Sequence, residues 1–297
     1  MNQKIITRKR SITYFTNKTA ETWSSKSLSC GIGGSQIAVI HLSRLWVEMG
    51  FDVTVFSNLD IAEATYNGVK YRHYKHFNPC EEKDILIIWR DLDILDLPLF
   101  AKVIYLDLHD VPEPKDFTKL RINKINKIFV KSDYHKSLLP IIAHIKTIVI
   151  PNGVGVEYFY DKDGKRDLNK LIYASDYFRG LNLMLQHGWG IIKKQVPCAT
   201  LDIFYGWDFF DAVWEKDRDK QKWKQKMVDL MNQPGIRELG RVGQDVLAKK
   251  FKKANILYYG STFKEIDCIT VRQAAVAGCI PCTTDYGVLA QKPYSIK

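Results

Sequence analysis

Near the end of the chain stands the stretch EIDCITVRQAAVAGCIPCTT (Glu265–Thr284). It is typical of an acidic turn, a helix without charge after its first turn, and a short apolar strand. Helix and strand in succession indicate an α/β fold in which small side chains pack the helix tightly against a sheet. Glu265 and Gln273 lie eight positions apart, and the stretch is open to three interpretations: a redox site, plain core, or part of a ligand site.

The bulk composition is that of a globular protein. The chain has 297 residues, of which 46% are hydrophobic and 26% charged, enough for one large or two ordinary domains. No apolar run approaches the roughly 18–20 residues that span a bilayer, and the basic N-terminal segment lacks the apolar centre of a secretory signal. These features predict a soluble, cytoplasmic protein.

The chain is basic, with a formal net charge of +11. Such a charge suits nucleic acid, an anionic membrane surface or a phosphorylated ligand. The basic residues are spread along the chain, without a helix-turn-helix, zinc or RNA-binding signature. We therefore predict no nucleic-acid partner and leave peripheral contact with a membrane open.

The six cysteines are sparse for this length and indicate reduced thiols. Cys279 and Cys282 form CIPC, but a redox pair needs a thiol at a helix N-terminus, and this pair follows a helix. Zinc would need two more ligands at motif spacing. We therefore interpret Cys279 and Cys282 as core residues and predict no metal site.

Apolar runs alternate with helical patterns along the chain. Seven runs in the first half are predicted strands: 11–17, 52–58, 69–74, 84–90, 102–109, 127–132 and 147–152. Helical patterns fall between several of them, which predicts a mostly parallel sheet. Residues 151–167 are rich in Gly, Asp and Pro and predict a linker. A second alternating series follows, with helices over 181–194, 209–232, 244–254 and 269–277. We predict two domains, 1–153 and 154–297.

Ligands of open α/β sheets bind at the carboxyl ends of the strands. Five segments there carry suitable residues: SCGIGGSQ (29–36), LHDVP (108–112), ASDYFRGLNLML (174–185), LGRVGQ (239–244) and the opening stretch. The first is compatible with an anion held by backbone N–H groups or with a glycine turn that binds nothing. A dinucleotide fingerprint fits poorly because Gln36 stands in place of its third glycine, and a P-loop is excluded because no Gly-Lys-Ser/Thr follows.

Two of these loops carry residues that suggest chemistry. Arg179 precedes a helix, and a cation at a helix N-terminus gains nothing from the helix dipole. Either a bound phosphate stabilises Arg179 there through charge-assisted hydrogen bonds, or Arg179 is an exposed surface residue. His109 and Asp110 form a titratable pair at a strand end, and the alternative for His109 is a purely structural role. LGRVGQ is compatible with one wall of a base or ribose pocket.

Taken in order, these segments resemble the GT-B fold glycosyltransferases of the retaining, family 4 type (glycosyl transferases group 1). The resemblance rests on GIGGSQ, HD (109–110), PNGV (151–154), RGL (179–181), LDIFYGWD (201–208), GRVGQ (240–244) and the opening stretch. It implies two Rossmann-like doubly wound domains facing a cleft: an acceptor-side N-terminal domain and a donor-binding C-terminal domain. The chain stops at Lys297, so the resemblance implies a shortened C-terminal domain.

The resemblance implies transfer of a sugar, with retention of configuration, from a nucleotide-diphosphate sugar (UDP or GDP) to an unknown glycan, lipid or protein acceptor. No metal and no cofactor besides the donor are implied. His109 would contact the transferred sugar, Arg179 the diphosphate with Ser175 nearby, and Glu265 the sugar hydroxyls. Gly33 and Gly34 would lie near the donor phosphates or the acceptor. The other residues implied in donor binding are Arg241, Val242, Gly243, Ile266, Asp267, Cys268 and Gln273.

Two departures from the family pattern bear on activity. Gln273 stands where the family has a glutamate that holds the ribose hydroxyls, and a neutral acceptor makes weaker hydrogen bonds than a charged one. The chain is also short, and the lysine that accompanies the phosphate-binding arginine is not evident. The alternative is therefore a catalytically impaired GT-B module that binds a nucleotide, a sugar or a protein. An epimerase on the same fold would need acid–base residues that the sequence does not offer.

Overall fold

The computed structural model describes residues 8–59, 62–160 and 164–297. The chain divides into two compact units. The first unit runs to Lys26 and continues from Gly33 to Asn152, and the second comprises Ser27–Ile32 and Gly153–Lys297. The division into domains at residue 153 stays a prediction.

The first unit is built on one sheet. Its strands are β1 (Ser11–Phe15), β2 (Asp52–Ser57), β3 (Ala64–Tyr66), β4 (Val69–His73), β5 (Lys83–Trp89), β6 (Ala101–Asp107), β7 (Lys127–Val130) and β8 (Thr147–Val149). In chain order the first helices are α1 (Ser27–Cys30), which belongs to the second unit, then α2 (Gly34–Glu48), α3 (Lys119–Lys124), α4 (Asp133–Ser137) and α5 (Ile141–His144). Short 3₁₀ turns cover Tyr74–His76, Asp93–Asp96 and Pro114–Asp116.

In the part of the chain that the structure describes, this sheet has eight strands in the order β3-β4-β2-β1-β5-β6-β7-β8. Every pair is parallel except β3–β4. All seven predicted strands are present and end one to three residues earlier than predicted. The short antiparallel β3 was missed because three residues show no periodicity. The order reverses between β1 and β5, so the carboxyl ends of these two strands mark a place where a ligand is expected.

His135, on α4, is a fully buried polar residue of the first unit. Its Nδ1 accepts the Lys131 backbone N–H at 3.2 Å, and Nε2 donates to the Asp110 carbonyl oxygen at 3.0 Å. Burial is the main cause that lowers the pKa of His135 to about 4, although Asp110 and Asp107 oppose the shift, and Lys131 and His109 add to it. His135 is therefore a neutral residue that ties the end of β7 to the loop after β6.

The second unit has its own sheet. Its strands are β9 (Asp167–Ala174), β10 (Thr200–Phe204), β11 (Ile236–Glu238), β12 (Ala254–Tyr259) and β13 (Ile280–Thr283). Its further helices are α6 (Val156–Phe159), α7 (Leu181–Leu183), α8 (Gly190–Gln195), α9 (Asp208–Trp214), α10 (Arg218–Met231), α11 (Gln244–Lys253) and α12 (Ile269–Val276). A π-helical turn, Met184–Trp189, joins α7 to α8, and a 3₁₀ turn covers Gly287–Gln291.

Within the described residues this sheet is five-stranded and wholly parallel, in the order β11-β10-β9-β12-β13. This is the order of half a doubly wound fold, with the reversal between β9 and β12. The predicted α/β class with mostly parallel sheets is confirmed. The carboxyl ends of β9 and β12 mark the place where a ligand of this unit is expected.

Two predicted segments were wrong in part. The linker over 151–167 contains α6, whose Phe159 is 1% exposed in the core of the second unit; residues 161–163 lie outside the described part. A helix of one turn, such as α6, shows no clear hydrophobic periodicity in a sequence rich in Gly and Asp. The single helix over 209–232 is two helices, because the Asp217 side chain accepts from the backbone N–H groups of Asp219 and Lys220 and so starts α10.

The opening stretch forms α12 and β13. Ala274 and Ala277 are fully buried, as expected for a small-residue helix against a sheet. Cys279 is 1% exposed, and burial raises the pKa of its thiol to about 12. Cys279 therefore has the environment of a core residue and not of a reactive thiol.

We predict that His135 makes the protein less stable in acid. A pKa of about 4 in the folded state lies below the unfolded value of about 6.5, so its contribution is complete above about pH 6.5 and is lost as pH falls towards 4. The loss is about 3 kcal/mol of unfolding free energy. Urea unfolding of His135→Gln between pH 4 and 7.5 should therefore vary with pH less steeply than that of the unchanged protein. His187→Gln, at an exposed position, is the control; equal slopes for all three proteins would contradict the prediction.

Candidate functional site

A hydrogen-bonded cluster lies at the carboxyl edge of the second sheet. Arg179 follows β9, and its Nη1 donates to Oε1 of Glu265, which follows β12. The Tyr259 hydroxyl, at the end of β12, donates to the same oxygen at 2.5 Å. Ser175 Oγ lies 3.2 Å from the Tyr259 hydroxyl. The structure thus brings together Ser175, Arg179 and Glu265, which lie in two separate segments of the sequence.

Glu265 and Arg179 differ in exposure. Glu265 is 4% exposed, whereas the Arg179 side chain is 31% exposed and its Cζ lies 4.4 Å from the centre of the Phe263 ring. Burial alone would lower the pKa of Arg179, but Glu265 outweighs it and the pKa is raised. A guanidinium has five N–H donors, and among the described residues Glu265 is the one side chain that accepts from it. Arg179 therefore keeps donors for a ligand while it holds Glu265.

The Tyr259 hydroxyl supports this pair as a donor. Tyr259 is fully buried, and burial, with the thiol of Cys268 and the carboxylate of Glu265 as further causes, raises its pKa well above the usual value. The phenol therefore keeps its proton and points it at Glu265. The buried carboxylate thus has two donors, which compensate the water it loses.

A glycine allows the two loops to meet. Gly180 has φ +90°, and a Cβ there would lie 2.5 Å from the Gly260 carbonyl oxygen. Any side chain at this position would push the loop after β9 away from the loop after β12. The Arg-Gly pair therefore places the guanidinium beside Glu265.

Asp267 has a structural task. It is 1% exposed and accepts from Arg272 Nη2 at 2.6 Å and from Lys292 Nζ at 2.8 Å. Burial alone would raise the pKa of Asp267, but these two cations outweigh it and the pKa is lowered. Its side chain thus ties the start of α12 to the segment that follows the 3₁₀ turn. That Ile266, Asp267 and Cys268 offer backbone donors to a ligand stays a prediction.

Gln273 pairs with a residue that the sequence analysis missed. Its Nε2 donates to Gln244 Oε1 at 2.9 Å, and both side chains are nearly buried, at 4% and 6% exposure. Gln244 is the first residue of α11 and closes the predicted GRVGQ loop. The place of Gln244 at the end of this loop was the signal available in the sequence. A glutamine at the start of a helix is too common, however, to indicate a binding residue by itself.

The predicted glycine loop is divided between the two units. Gly31 has φ +90°, and a Cβ there would lie 2.5 Å from the Val242 carbonyl oxygen. The segment around α1 therefore packs against the loop after β11, and Gly31 has a packing role. Gly33 and Gly34 instead begin α2 of the first unit, as N-cap and first residue.

Arg241 lies at the carboxyl end of β11, with its Cζ 5.2 Å from the Tyr205 ring. Val242 and Gly243 complete the same loop, where a Cβ on Gly243 would lie 2.4 Å from the Ser29 carbonyl oxygen. The predicted contacts of these three residues with a nucleotide base stay predictions.

His109, in the first unit, belongs to a buried polar group. It is 6% exposed, and its Nε2 lies 3.3 Å from Asp107 Oδ2. Asp107 also accepts from the Tyr14 hydroxyl at 2.6 Å and from Lys131 Nζ. Burial is the main cause that lowers the pKa of His109, although the Asp107 carboxylate opposes this shift. Burial alone would raise the pKa of Asp107, but His109 and Lys131 outweigh it and the pKa of Asp107 is lowered. The ionised carboxylate fixes the proton of neutral His109 on Nε2, so that Nδ1 is an acceptor.

Asp110 pairs with an arginine that the sequence analysis missed. Arg90 follows β5 with φ +67°, and its guanidinium lies 2.9 Å from the Asp110 carboxylate. It also donates to Ser35 Oγ at 2.8 Å and lies over the Trp89 ring at 3.9 Å. The signal in the sequence was an arginine as the last residue of the predicted strand DILIIWR.

In residues 8–59, 62–160 and 164–297 no group of three or more His, Cys, Asp or Glu side chains is placed to hold a metal ion. Nor does any helix in this part of the chain have the length and apolarity to cross a bilayer.

Comparison with known proteins gives a match in structure alone. No protein-family model matches the chain, and no curated protein matches it in sequence. Sucrose-phosphate synthase from Thermosynechococcus elongatus matches with a TM-score of 0.68 and 13% identity over 94% of this chain and 82% of that one. The Anabaena protein HepE, in complex with UDP-glucose, matches at 0.64 and 11% over 94% and 82%. WaaG, a glycosyltransferase of lipopolysaccharide biosynthesis, matches at 0.62 and 11% over 94% and 82%.

Identities this low establish a common fold and nothing finer. The chain has the α/β fold, with parallel sheets, of GT-B glycosyltransferases, and the resemblance seen in the sequence is confirmed at the level of fold.

Proposed function

We propose that the protein is a glycosyltransferase that takes its sugar from a nucleotide-diphosphate sugar. The observation that carries the proposal is the cluster of Arg179, Glu265 and Tyr259 at the carboxyl ends of β9 and β12. In a doubly wound sheet this is the place where a nucleotide is expected. The cluster offers a fixed cation with spare donors beside a carboxylate that is held in one orientation.

The arrangement suits the chemistry of glycosyl transfer. As the bond between the sugar C1 and the phosphate oxygen breaks, the electron pair stays on the diphosphate. The acceptor hydroxyl oxygen forms the new bond to C1 and gives up its proton, which the departing diphosphate takes. A preorganised cation near the leaving diphosphate stabilises this growing negative charge. We assign this task to Arg179 and contact with the sugar hydroxyls to Glu265, with Ser175 nearby.

The choice of donor follows from the structural relatives. HepE has been crystallised with UDP-glucose and with UDP, so UDP and its sugars are the first donors to test, with GDP as the alternative. Gln273, held by Gln244, presents an amide for the ribose in place of a carboxylate. Retention of configuration, independence from metal, the acceptor, and contact of His109 with the sugar stay predictions.

We predict that Arg179→Ala weakens binding of UDP or GDP by about tenfold to a hundredfold, because a hydrogen bond between charged groups is worth roughly 1.5–3 kcal/mol. Binding of the bare nucleoside should change little, since it has no phosphate. Calorimetry or saturation-transfer NMR with each nucleotide and its nucleoside measures the difference.

The matched control is Arg237→Ala, because Arg237 also pairs with a buried carboxylate, that of Asp202, at 2.6 Å in the same unit. It should lose stability and keep its nucleotide affinity. Equal losses for nucleotide and nucleoside in Arg179→Ala would show that Arg179 is not at the phosphates. No binding of any nucleotide to the unchanged protein at millimolar concentration would overturn the proposal.

We predict that Gln273→Glu strengthens binding of the ribose-containing donor several-fold, because a charged acceptor makes the stronger hydrogen bond to a hydroxyl, by roughly a factor of two in energy. Gln244 would then turn its amide and donate to the new carboxylate. Titration of both proteins with UDP and with 2′-deoxy-UDP locates the gain at the ribose if the deoxy ligand gains less. Gln291→Glu, at an exposed position, controls for the added charge. Weaker UDP binding by Gln273→Glu would contradict the assignment.

A further inference from the structure

The second unit contains a cavity that the proposed donor cluster does not use. It has a volume of about 220 Å³ and lies beyond the carboxyl ends of β9 and β10. We call it the aromatic cavity and define it by the rings of Phe178, Trp207, Phe210 and Trp223, with Asp176 and Lys220 among its lining residues. Phe178 directly precedes Arg179, so the cavity adjoins the donor cluster within the same unit.

The rings form a box with walls at mixed angles. Phe178 stacks on Trp223 with their centres 4.0 Å apart and their planes 13° apart. Trp207 is steeply inclined to two other rings, at 71° to Trp223 and 87° to Phe210. Since the parallel rings already touch each other, they leave no slot between them for a flat base. A ligand ring in this cavity therefore lies beside these stacked rings and not between them.

Asp176 supplies acceptors to this space. Its Oδ1 accepts the Phe178 backbone N–H at 2.8 Å, and its Oδ2 accepts the Tyr205 hydroxyl at 3.2 Å. A carboxylate has about four lone-pair positions, so each oxygen keeps one for a ligand. The two existing bonds fix the carboxylate in place.

Lys220 supplies donors. Its Nζ lies 4.7 Å from the centre of the Phe178 ring and 5.0 Å from that of Trp214. Within the described ranges no oxygen accepts a hydrogen bond from this ammonium, whose contacts are with the two rings. Cation–π contacts therefore hold the Lys220 ammonium in place, and its three N–H donors remain available to a ligand.

These groups together select a neutral polyhydroxylated ring. The Asp176 carboxylate and the Lys220 ammonium line the same cavity, so a charged ligand would be attracted by one of them and repelled by the other. The hydroxyl groups of a neutral ligand can donate to Asp176 and accept from Lys220. The C–H faces of a pyranose match the apolar rings. Pockets that bind drug-sized ligands have volumes of roughly 300–1,000 Å³, so the smaller aromatic cavity suits a single ring.

We propose that the aromatic cavity binds one neutral pyranose unit of a glycan. The proposal is independent of the donor assignment, since it uses neither Arg179 nor Glu265.

Three tryptophans line this cavity, Trp207, Trp214 and Trp223, so that binding is visible in their fluorescence. A panel of neutral methyl pyranosides (glucoside, galactoside, mannoside and N-acetylglucosaminide) is titrated in the absence of nucleotide, with saturation-transfer NMR in parallel. At least one should bind with a Kd on the order of 1–10 mM, with the strongest saturation on the C–H protons of one ring face. Uridine should not displace it.

The variants fix the location. Asp176→Asn keeps an oxygen acceptor but removes the charge, and we expect it to weaken sugar binding by about tenfold. Lys220→Met, which keeps an apolar stem, should also weaken it. Asp208→Asn makes the same charge change on an exposed residue of α9 and should leave the affinity unchanged; thermal melting verifies that each variant is folded. Absence of binding across the panel up to about 50 mM, displacement of the sugar by uridine, or equal effects of Asp176→Asn and Asp208→Asn would each overturn the proposal.

Discussion

Glu265 is buried, and a buried carboxylate persists only where donors replace the water it has lost. Arg179 and Tyr259 supply those donors, and each comes from the end of a strand beside the point where the sheet order reverses. The ion pair therefore sets the spacing of the loops after β9 and β12. Removing either charge would leave the other uncompensated, which is costly for a buried pair. The candidate donor site depends on this constraint because both proposed ligand contacts belong to it.

Several charged residues with comparable burial serve the fold instead. Asp267 is satisfied by Arg272 and Lys292, and Asp107 by Tyr14, Lys131 and His109. What distinguishes Arg179 is its partial exposure together with donors that no described residue uses. A shifted pKa alone would not have separated Arg179 from a structural arginine, because the pKa of Arg272, which pairs with Asp267, is raised as well.

The sequence was informative where a pattern is local. Apolar runs predicted the strands, and the small residues of α12 predicted a helix packed on the sheet. It was uninformative where a contact joins distant segments. Nothing local connects Gln244 with Gln273, or Arg90 with Ser35, since these pairs arise from the order of the strands. The one-turn helix α6 and the break at Asp217 were missed because each depends on a few residues whose composition also suits a loop or a continuous helix.

Gly31 and Gly180 show the same limit. The glycines of SCGIGGSQ suggested an anion site, yet a Cβ on Gly31 would collide with the backbone of Val242. A Cβ on Gly180 would likewise collide with the backbone of Gly260. Both glycines permit close backbone packing, a role that appears only when the neighbouring loop is known. Gly180 contributes to the candidate site by letting Arg179 reach Glu265.

The most direct test of the central claim is a crystal structure of the protein soaked with a mixture of UDP and GDP sugars. We expect a nucleotide at the carboxyl ends of β9 and β12, with a phosphate oxygen within hydrogen-bond distance of the Arg179 guanidinium and with Glu265 facing the sugar. A nucleotide bound elsewhere, or one whose diphosphate lies away from Arg179, would contradict it.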